Sequence, residues 1–121
     1  MDRYALVLTP TGHLSAIEWP DSPTSYLDTL HTAIGCTLVQ RVEITDRLTM
    51  WVDEEGLSTQ PDNLMSTLLV EAFRPAEQVY HGTAVITGGM DTEGTTQPLT
   101  PEQIKIVIGR WMSTVEELLL N

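Results

Sequence analysis

Apolar runs of strand length open the chain and are followed by a helical pattern. The stretches Arg3 to Leu8 and Leu14 to Trp19 flank a Thr-Pro-Thr-Gly segment with strong turn chemistry, which predicts a β-hairpin. Ser22 and Pro23 then supply an N-cap and a first-turn proline, and Gly35 ends the pattern. Between them, apolar residues recur at helical spacing, namely Leu27, Leu30 and Ile34. A short first helix is therefore expected.

The middle of the chain repeats this layout. Apolar residues at even spacing lie on both sides of Thr45-Asp46-Arg47 and predict a second hairpin: Leu38, Val42, Ile44, Leu48, Met50 and Val52. In this strand Trp51 points away from Met50 and Val52, so its ring is expected on the second face of the sheet, where a helix or a partner covers it. The acidic turn, Asp53-Glu54-Glu55-Gly56, follows this hairpin. After it, the segment from Asp62 to Phe73 predicts a second short helix, which Arg74-Pro75 ends.

The last third of the chain predicts a strand, a loop and a long helix. Val79 to Thr87 is rich in β-forming residues, and the polar, glycine-containing stretch from Gly88 to Leu99 predicts a mobile loop. Thr100-Pro101-Glu102-Gln103 combines an N-cap, a first-turn proline and the glutamine of a capping box. The helix that follows carries a broad apolar stripe: Ile104, Val107, Ile108, Trp111, Val115, Leu118 and Leu119. Such a stripe packs on the sheet of its own domain or forms a homodimer interface.

Together these elements predict one α+β domain spanning residues 1–121. The predicted order is β-β-α-β-β-α-β-α, with a mainly antiparallel sheet and a C-terminal amphipathic helix. The length suits a single hydrophobic core.

Charge is the most unusual global feature and narrows the choice of partner. Seventeen Asp and Glu residues face six Lys and Arg residues, which gives a formal net charge of -11. Direct nucleic-acid binding is not expected, because it normally needs clustered basic side chains to replace the counterions of the phosphates. A basic protein surface is the more plausible partner, while the simpler interpretation is that acidity only maintains solubility.

The cysteine count and the apolar runs favour a cytoplasmic protein without a membrane span. Cys36 is the single cysteine, so no disulfide forms within the chain, as suits a reducing compartment. No signal peptide is recognisable at the N-terminus. The apolar runs are shorter than the roughly 20 residues that a membrane helix needs.

The acidic residues, the histidines and the cysteine are the candidates for metal binding or catalysis. Asp53, Glu54 and Glu55 precede a glycine, but their contiguous spacing does not match an EF-hand loop, so a solvated hairpin end is favoured over a cation site. The three histidines lack the close spacing of a zinc site. Cys36 is better explained as a small buried hydrophobe than as a nucleophile. No catalytic residue, metal or cofactor is therefore predicted.

A small-ligand site is the alternative that the residues leave open. Trp51, Glu54, Asn63 and His81 combine an aromatic surface with polar groups, and they could line a pocket between the sheet and the loop from Gly88 to Leu99. A nucleotide derivative is one candidate ligand. A hydrolase or transferase whose residues meet only in three dimensions is a third possibility.

Three short motifs carry a family resemblance. They are Met50-Trp51-Val52-Asp53-Glu54-Glu55-Gly56, then Asn63, and then the strand from Tyr80 to Gly88. Over roughly residues 38 to 107 the chain resembles small domains of unknown function from bacteriophages, plasmids and actinobacteria. That family usually has Asn-Glu-x-Gly where this chain has Asp53-Glu54-Glu55-Gly56. The resemblance implies no activity, but it implies a setting among mobile elements.

The prediction drawn from all of this is a non-enzymatic, acidic interaction protein. It is expected to be an accessory factor of a phage or mobile element that binds a host protein, and a basic, nucleic-acid-handling protein is a natural target. Its expected binding residues are those of the acidic turn and its neighbours: Trp51, Asp53, Glu54, Glu55, Asn63 and His81. True DNA mimicry is less favoured, because the longest acidic run has three residues.

Overall fold

The structure is a computed structural model and describes residues 3–120. Its strands are β1 Tyr4–Leu8, β2 Leu14–Glu18, β3 Val39–Thr45, β4 Leu48–Asp53 and β5 Ala84–Gly88. Its α-helices are α1 Tyr26–Ile34, α2 Gly56–Thr59, α3 Leu64–Glu71 and α4 Pro101–Leu120. A turn of 3₁₀ helix, Pro23–Ser25, leads into α1. The predicted order of elements is confirmed, with α2 as an addition.

The five strands form one antiparallel sheet in the order β2-β1-β5-β4-β3. The two predicted hairpins, β1-β2 and β3-β4, are therefore joined through β5, which lies between them. This arrangement confirms the α+β class with an antiparallel sheet. It also makes β2 and β3 the two edge strands.

The sheet is buried on both faces because its central strands are apolar on both faces. In β1, Leu6 and Leu8 belong to the core under α3 and α4, whereas Ala5 and Val7 belong to a second core with Leu30 of α1. Alternate residues of a strand point to opposite faces, so one strand supplies both cores. The molecule has three layers, with α1 on one side and α3 with α4 on the other.

The strand predicted from Val79 to Thr87 is shorter in the structure. Gly82 has a φ of 79°, a left-handed conformation that interrupts an extended strand. Before it, Tyr80 accepts a backbone hydrogen bond from Asn63 at 2.8 Å, so this part of the chain follows the start of α3 instead of the sheet. The regular strand β5 begins only at Ala84.

The stretch from Gly88 to Leu99 is more regular than its composition predicts. Gly88 and Gly89 exchange backbone hydrogen bonds with Gln97, and the Asp91 carboxylate accepts from the backbone N–H groups of Glu93 and Thr95 at 2.9 Å. These bonds fold the segment back on itself. Leu99 then pairs with the start of β1 and is fully buried.

The capping box at the start of α4 is confirmed. The Thr100 hydroxyl accepts from the backbone N–H of Gln103 at 3.2 Å, and the Gln103 side chain accepts from the Thr100 N–H at 2.9 Å. These reciprocal bonds satisfy two donors that would otherwise lack partners at the helix start. The predicted apolar stripe is buried along the first part of the helix, where Val107 and Trp111 enter the core.

The end of the stripe does not pack on the sheet, which was one of its two predicted uses. Leu118 and Leu119 are exposed, as is Leu120. The physical reason is length, because α4 has 20 residues and the α3 helix beside it has only 8. Homodimerisation through the C-terminal helix stays a prediction.

No helix within residues 3–120 has the length and apolar character needed to cross a membrane.

Candidate functional site

The acidic turn after β4 is held by its own polar groups. The Asp53 carboxylate accepts from the backbone N–H of Glu55 at 2.9 Å, and the N–H of Glu54 donates to the carbonyl of Leu38 at 2.9 Å. The first bond is an Asx turn, the usual way in which an aspartate reverses the chain locally. The side chains of Glu54 and Glu55 are left exposed.

Gly56 lets the acidic turn pack closely against the segment that carries His81. A Cβ atom placed on Gly56 would lie 3.0 Å from the carbonyl oxygen of His81 and 3.5 Å from the Cβ of Asp53. Residues without a Cβ allow such an approach of two backbones. Two stretches separated by 25 positions are thereby brought together.

A groove opens where these stretches meet. Asp53, Glu54 and His81 line it, and its volume is about 150 Å³. Leu57 and Val79 also line it, although these residues are 79% and 47% exposed. The other lining residues are Gln40, Val52, Gln78 and Tyr80. The structure therefore brings together three of the predicted binding residues.

His81 is oriented by a neighbouring carboxylate. Its Nε2 lies 3.1 Å from Oδ1 of Asp62, and its side chain is 15% exposed, compared with 77% for that of Asp62. A backbone bridge between the same two residues adds to this contact. The ring is thus a fixed part of the groove wall.

Asn63 lies outside the groove and is fully buried. Its side-chain amide donates to the carbonyls of Leu8 at 3.1 Å and Gly82 at 2.8 Å, while its Oδ1 accepts from the N–H of Ser66 at 3.1 Å. Both amide protons and the oxygen are thus engaged within the protein. The residue caps α3 and ties it to the end of β1.

Trp51 lies on the opposite face of the sheet from Met50 and Val52, as predicted. It packs against the second core, under α1, and its indole Nε1 donates to the hydroxyl of Thr87 at 3.0 Å. The ring is half-buried. The pocket predicted between the sheet and the loop from Gly88 to Leu99 therefore does not gather Trp51, Asn63 and His81 around one space. Ligand binding by the separate residues stays a prediction.

Two apolar residues of this groove could not be recognised from the sequence. Leu57 belongs to α2, a single helical turn that is too short to show an apolar period. Val79 is expected in a buried strand but lies in an irregular segment at the surface. The backbone pairing of Asp62 with His81 and the close packing of Gly56 against His81 together bring the segment that carries Val79 beside the acidic turn.

Cys36 lies close enough to the acidic turn for the carboxylates there to change the pKa of its thiol. Burial raises the pKa of the Cys36 thiol, and the carboxylates of Asp53 and Glu55 raise it further, whereas a hydrogen bond with the backbone of Leu38 opposes these effects. A reactive nucleophile needs the opposite shift, because the thiolate is the attacking species. The environment of Cys36 therefore does not favour nucleophilic catalysis.

This shift predicts slow alkylation of Cys36 in the folded protein. Between about pH 7.5 and 9.5, iodoacetamide is expected to react more slowly with the native protein than with the protein in denaturant, because a smaller fraction is thiolate. Asp53→Asn keeps the turn's acceptor oxygen and removes one charge, so it should move the native pH–rate curve toward lower pH. Mass spectrometry of timed samples measures both rates. A native pH–rate curve whose midpoint lies at the same pH as that of the unfolded chain, or at a lower pH, would contradict this account.

The acidic side chains of the described residues do not converge on a common point. No group of three or more His, Cys, Asp or Glu side chains within residues 3–120 is placed to hold a metal ion. In the acidic turn one carboxylate oxygen of Asp53 is already bonded to the backbone. The turn presents separate negative charges.

Two arginine side chains donate hydrogen bonds to backbone carbonyls of the same domain. Arg74 donates from Nε and Nη2 to the carbonyl of Glu43 at 3.1 and 2.9 Å. Arg110 donates to the carbonyl of Ala72 at 3.1 Å and lies 4.7 Å from the ring centre of Phe73. These two arginines bond to backbone carbonyls and form no ion pair with a carboxylate of residues 3–120.

Ion pairs are correspondingly few. Across residues 3–120 they are Arg3 with Asp21, at 2.8 Å, and His81 with Asp62. The second involves a histidine, which carries charge only when protonated. Most carboxylates of the described residues therefore have no ion-pair partner within the chain.

Comparisons with known proteins identify the family. A search of curated proteins and a search of solved structures each found no match. The sequence model of one family, described as a domain of unknown function (DUF3846), matches residues 1–112. This match is wider than the stretch of roughly residues 38 to 107 that carries the resemblance, and it includes both hairpins and most of α4. The chain therefore belongs to the DUF3846 family of domains of unknown function.

Proposed function

We propose that this protein is a non-enzymatic interaction domain that binds a basic surface of a partner protein. The observation that carries the proposal is the use of charge within the fold. Arg74 and Arg110 hold backbone carbonyls, while the carboxylates of the acidic turn remain without cationic partners among residues 3–120. A cationic partner protein can supply the positive charges that pair with these carboxylates.

The acidic turn is the proposed centre of this interaction. Glu54 and Glu55 are exposed at the end of β4, and a network of backbone bonds fixes the turn before any partner arrives. A net charge of -11 adds a long-range attraction that steers a basic partner toward the domain. Pre-formed geometry lowers the entropy cost of binding.

The proposed setting is the cytoplasm of a host cell that carries a phage or mobile element. The resemblance of residues 38 to 107 to phage and plasmid domains supports this setting, and the lone Cys36 suits a reducing compartment. Proteins that handle nucleic acids have basic clefts. One of these is the natural host target of an acidic accessory factor.

A small-ligand function has less support from the geometry. The groove beside Asp53 and His81 has a volume of about 150 Å³, whereas ligand pockets usually measure about 300 Å³ or more. Two of its lining residues, Leu57 and Val79, are largely open to solvent. A broad macromolecular contact fits such a surface better.

Affinity capture with charge-neutralised variants tests the proposal. The tagged protein should retain basic proteins from a host lysate at low salt and release them at about 0.5 M salt, where charge attraction is screened within a few ångströms. The variant Asp53→Asn, Glu54→Gln, Glu55→Gln should retain about tenfold less of the same proteins. Quantitative mass spectrometry of the eluates measures the retention.

A control variant separates the turn from the overall charge. The control also removes three negative charges, but from exposed positions elsewhere, and carries Glu93→Gln, Glu116→Gln and Glu117→Gln. Equal losses in both variants would mean that net charge alone acts and that the turn is not the centre. Retained proteins that are not basic, or that persist at high salt, would contradict the proposal.

A further inference from the structure

The strand β3 forms one edge of the sheet, and its backbone phase can be deduced from two hydrogen bonds. The carbonyl of Leu38 points toward β4, since it accepts from the N–H of Glu54 at 2.9 Å. The carbonyl of Glu43 points the other way, because it accepts from Arg74. Backbone groups alternate along a strand, so the N–H and C=O groups of Val39 and Arg41 also point outward.

These outward groups form an open template for another strand. The hydrogen bonds of residues 3–120 include none that joins the outward N–H or C=O of Val39 or Arg41 to another segment. Arg74 closes the edge only at Glu43. An unpaired row of this kind pairs readily with an extended segment of another chain.

Two adjoining hollows run beside this edge. One is the groove of about 150 Å³ near the acidic turn, and the other has a volume of about 440 Å³. They share Gln40, Gln78 and Tyr80 as lining residues. The exposed apolar side chains of Leu57 and Val79 line the first hollow. The two hollows together form a trough beside β3. A peptide that pairs with β3 can therefore place alternate side chains in this preformed trough.

The charges along the trough indicate which peptide fits. Asp53 and Glu54 line the first hollow, and Glu43, Glu77 and Arg41 line the second, so that carboxylates outnumber basic side chains in the two hollows. The guanidinium of Arg74, which also lies there, is engaged with backbone carbonyls. A second copy of the chain would bring another net charge of -11, so a basic occupant is favoured over self-association.

We propose that the β3 edge binds an extended, basic segment of the partner protein as a sixth strand, with alternate apolar and basic side chains. This inference rests on the proposed function and names the mode of binding. Backbone hydrogen bonds to Val39 and Arg41 supply affinity, and the trough beside them selects the side chains. The acidic turn then attracts one end of the segment.

A synthetic peptide and one pair of variants test the edge. The probe is a fluorescent, blocked peptide of about eight residues with alternating lysine and valine, a common strand length. Arg41→Pro removes an outward N–H donor without touching the β3-β4 ladder, and proline is tolerated at such edge positions. It should weaken peptide binding roughly tenfold, measured by fluorescence anisotropy. Arg41→Gln keeps the N–H and should bind as tightly as the wild type or more tightly.

The opposite edge supplies the matched proline control. In β2 the N–H of Trp19 donates to the carbonyl of Arg3, and alternation along the strand leaves the N–H of Ala16 pointing outward. Ala16→Pro therefore places proline at an equivalent edge position far from the trough. Its affinity for the peptide should equal that of the wild type.

The outcomes separate this inference from the proposed function. Equal binding by wild type and Arg41→Pro would overturn the sixth-strand model while leaving a charge-based interaction in place. Absence of wild-type binding would also overturn it, and the lysate capture decides the proposed function independently. Dimers of the wild type that Arg41→Pro abolishes would identify a second copy as the occupant and contradict the proposal. If Arg41→Pro loses its fold by circular dichroism, two peptides are compared, one N-methylated at every valine and one at every lysine. Only alternate N–H groups face β3, so one of the two must bind the wild type roughly tenfold more weakly than the other, and equal binding would overturn the sixth-strand model.

Discussion

Replacing Asn63 with alanine is expected to lower the free energy of unfolding by about 3 kcal/mol or more. The side chain is fully buried and makes three hydrogen bonds. Alanine leaves the carbonyls of Leu8 and Gly82 without these donors and removes the cap from the first turn of α3. Each buried polar group that loses its partner costs about 1–3 kcal/mol, and a lost N-cap costs about 1 kcal/mol.

This loss is large relative to the whole stability of a domain, which is usually about 5–15 kcal/mol. Urea denaturation followed by tryptophan fluorescence measures it, with the midpoint and the slope reported separately. Leu64→Ala provides the control, since Leu64 begins the same helix but is exposed. It should change stability by less than about 0.5 kcal/mol. A similarly small change for Asn63→Ala would show that the buried bonds are not needed.

Replacing Gly89 with alanine is expected to destabilise the domain by about 3 kcal/mol. Gly89 is buried against the turn of the β3-β4 hairpin, and an added Cβ would overlap the backbone carbonyl of Asp46 and crowd the Cα of Arg47. On its other side, Gly89 is fixed because its carbonyl accepts from the N–H of Gln97 at 2.9 Å. Neither neighbour is a flexible side chain, so relief requires one backbone to move.

Gly109 offers a control of opposite sign for the same substitution. It lies inside α4, and an added Cβ would meet no atom within 4 Å. Alanine at a solvent-facing helical position is more favourable than glycine by about 1 kcal/mol, so Gly109→Ala should stabilise the domain. Thermal and urea unfolding of both variants give the comparison. Equal effects at the two positions would contradict the steric explanation for Gly89.

Asn63 was selected from the sequence as a candidate binding residue, but its hydrogen bonds in the structure are all made within the protein. From the sequence it is a polar residue at a helix start, and grouping it with Trp51 and His81 suggests a ligand pocket. In the structure all three of its hydrogen-bonding groups are occupied by its own chain. The acceptor carbonyl of Leu8 lies 55 positions away, and no local pattern reports such a contact.

The elements themselves could be predicted because their causes are local. Alternating apolar residues, the turn at residues 45–47 and the capping box of Thr100 and Gln103 each act within a few positions of the chain. All of them appear in the structure. The fold class followed from these signals together with the order of the elements.

What the sequence alone determined is therefore the list and order of the elements, the acidity of the chain and the second-face position of Trp51. Tertiary structure decided that β5 lies between the hairpins, which leaves β3 at an edge, and that His81 meets the acidic turn. It also decided that Arg74 and Arg110 are engaged with carbonyls. These features depend on contacts between residues far apart in the chain, and such contacts are set by the joint packing of the three layers rather than by any local pattern of side chains.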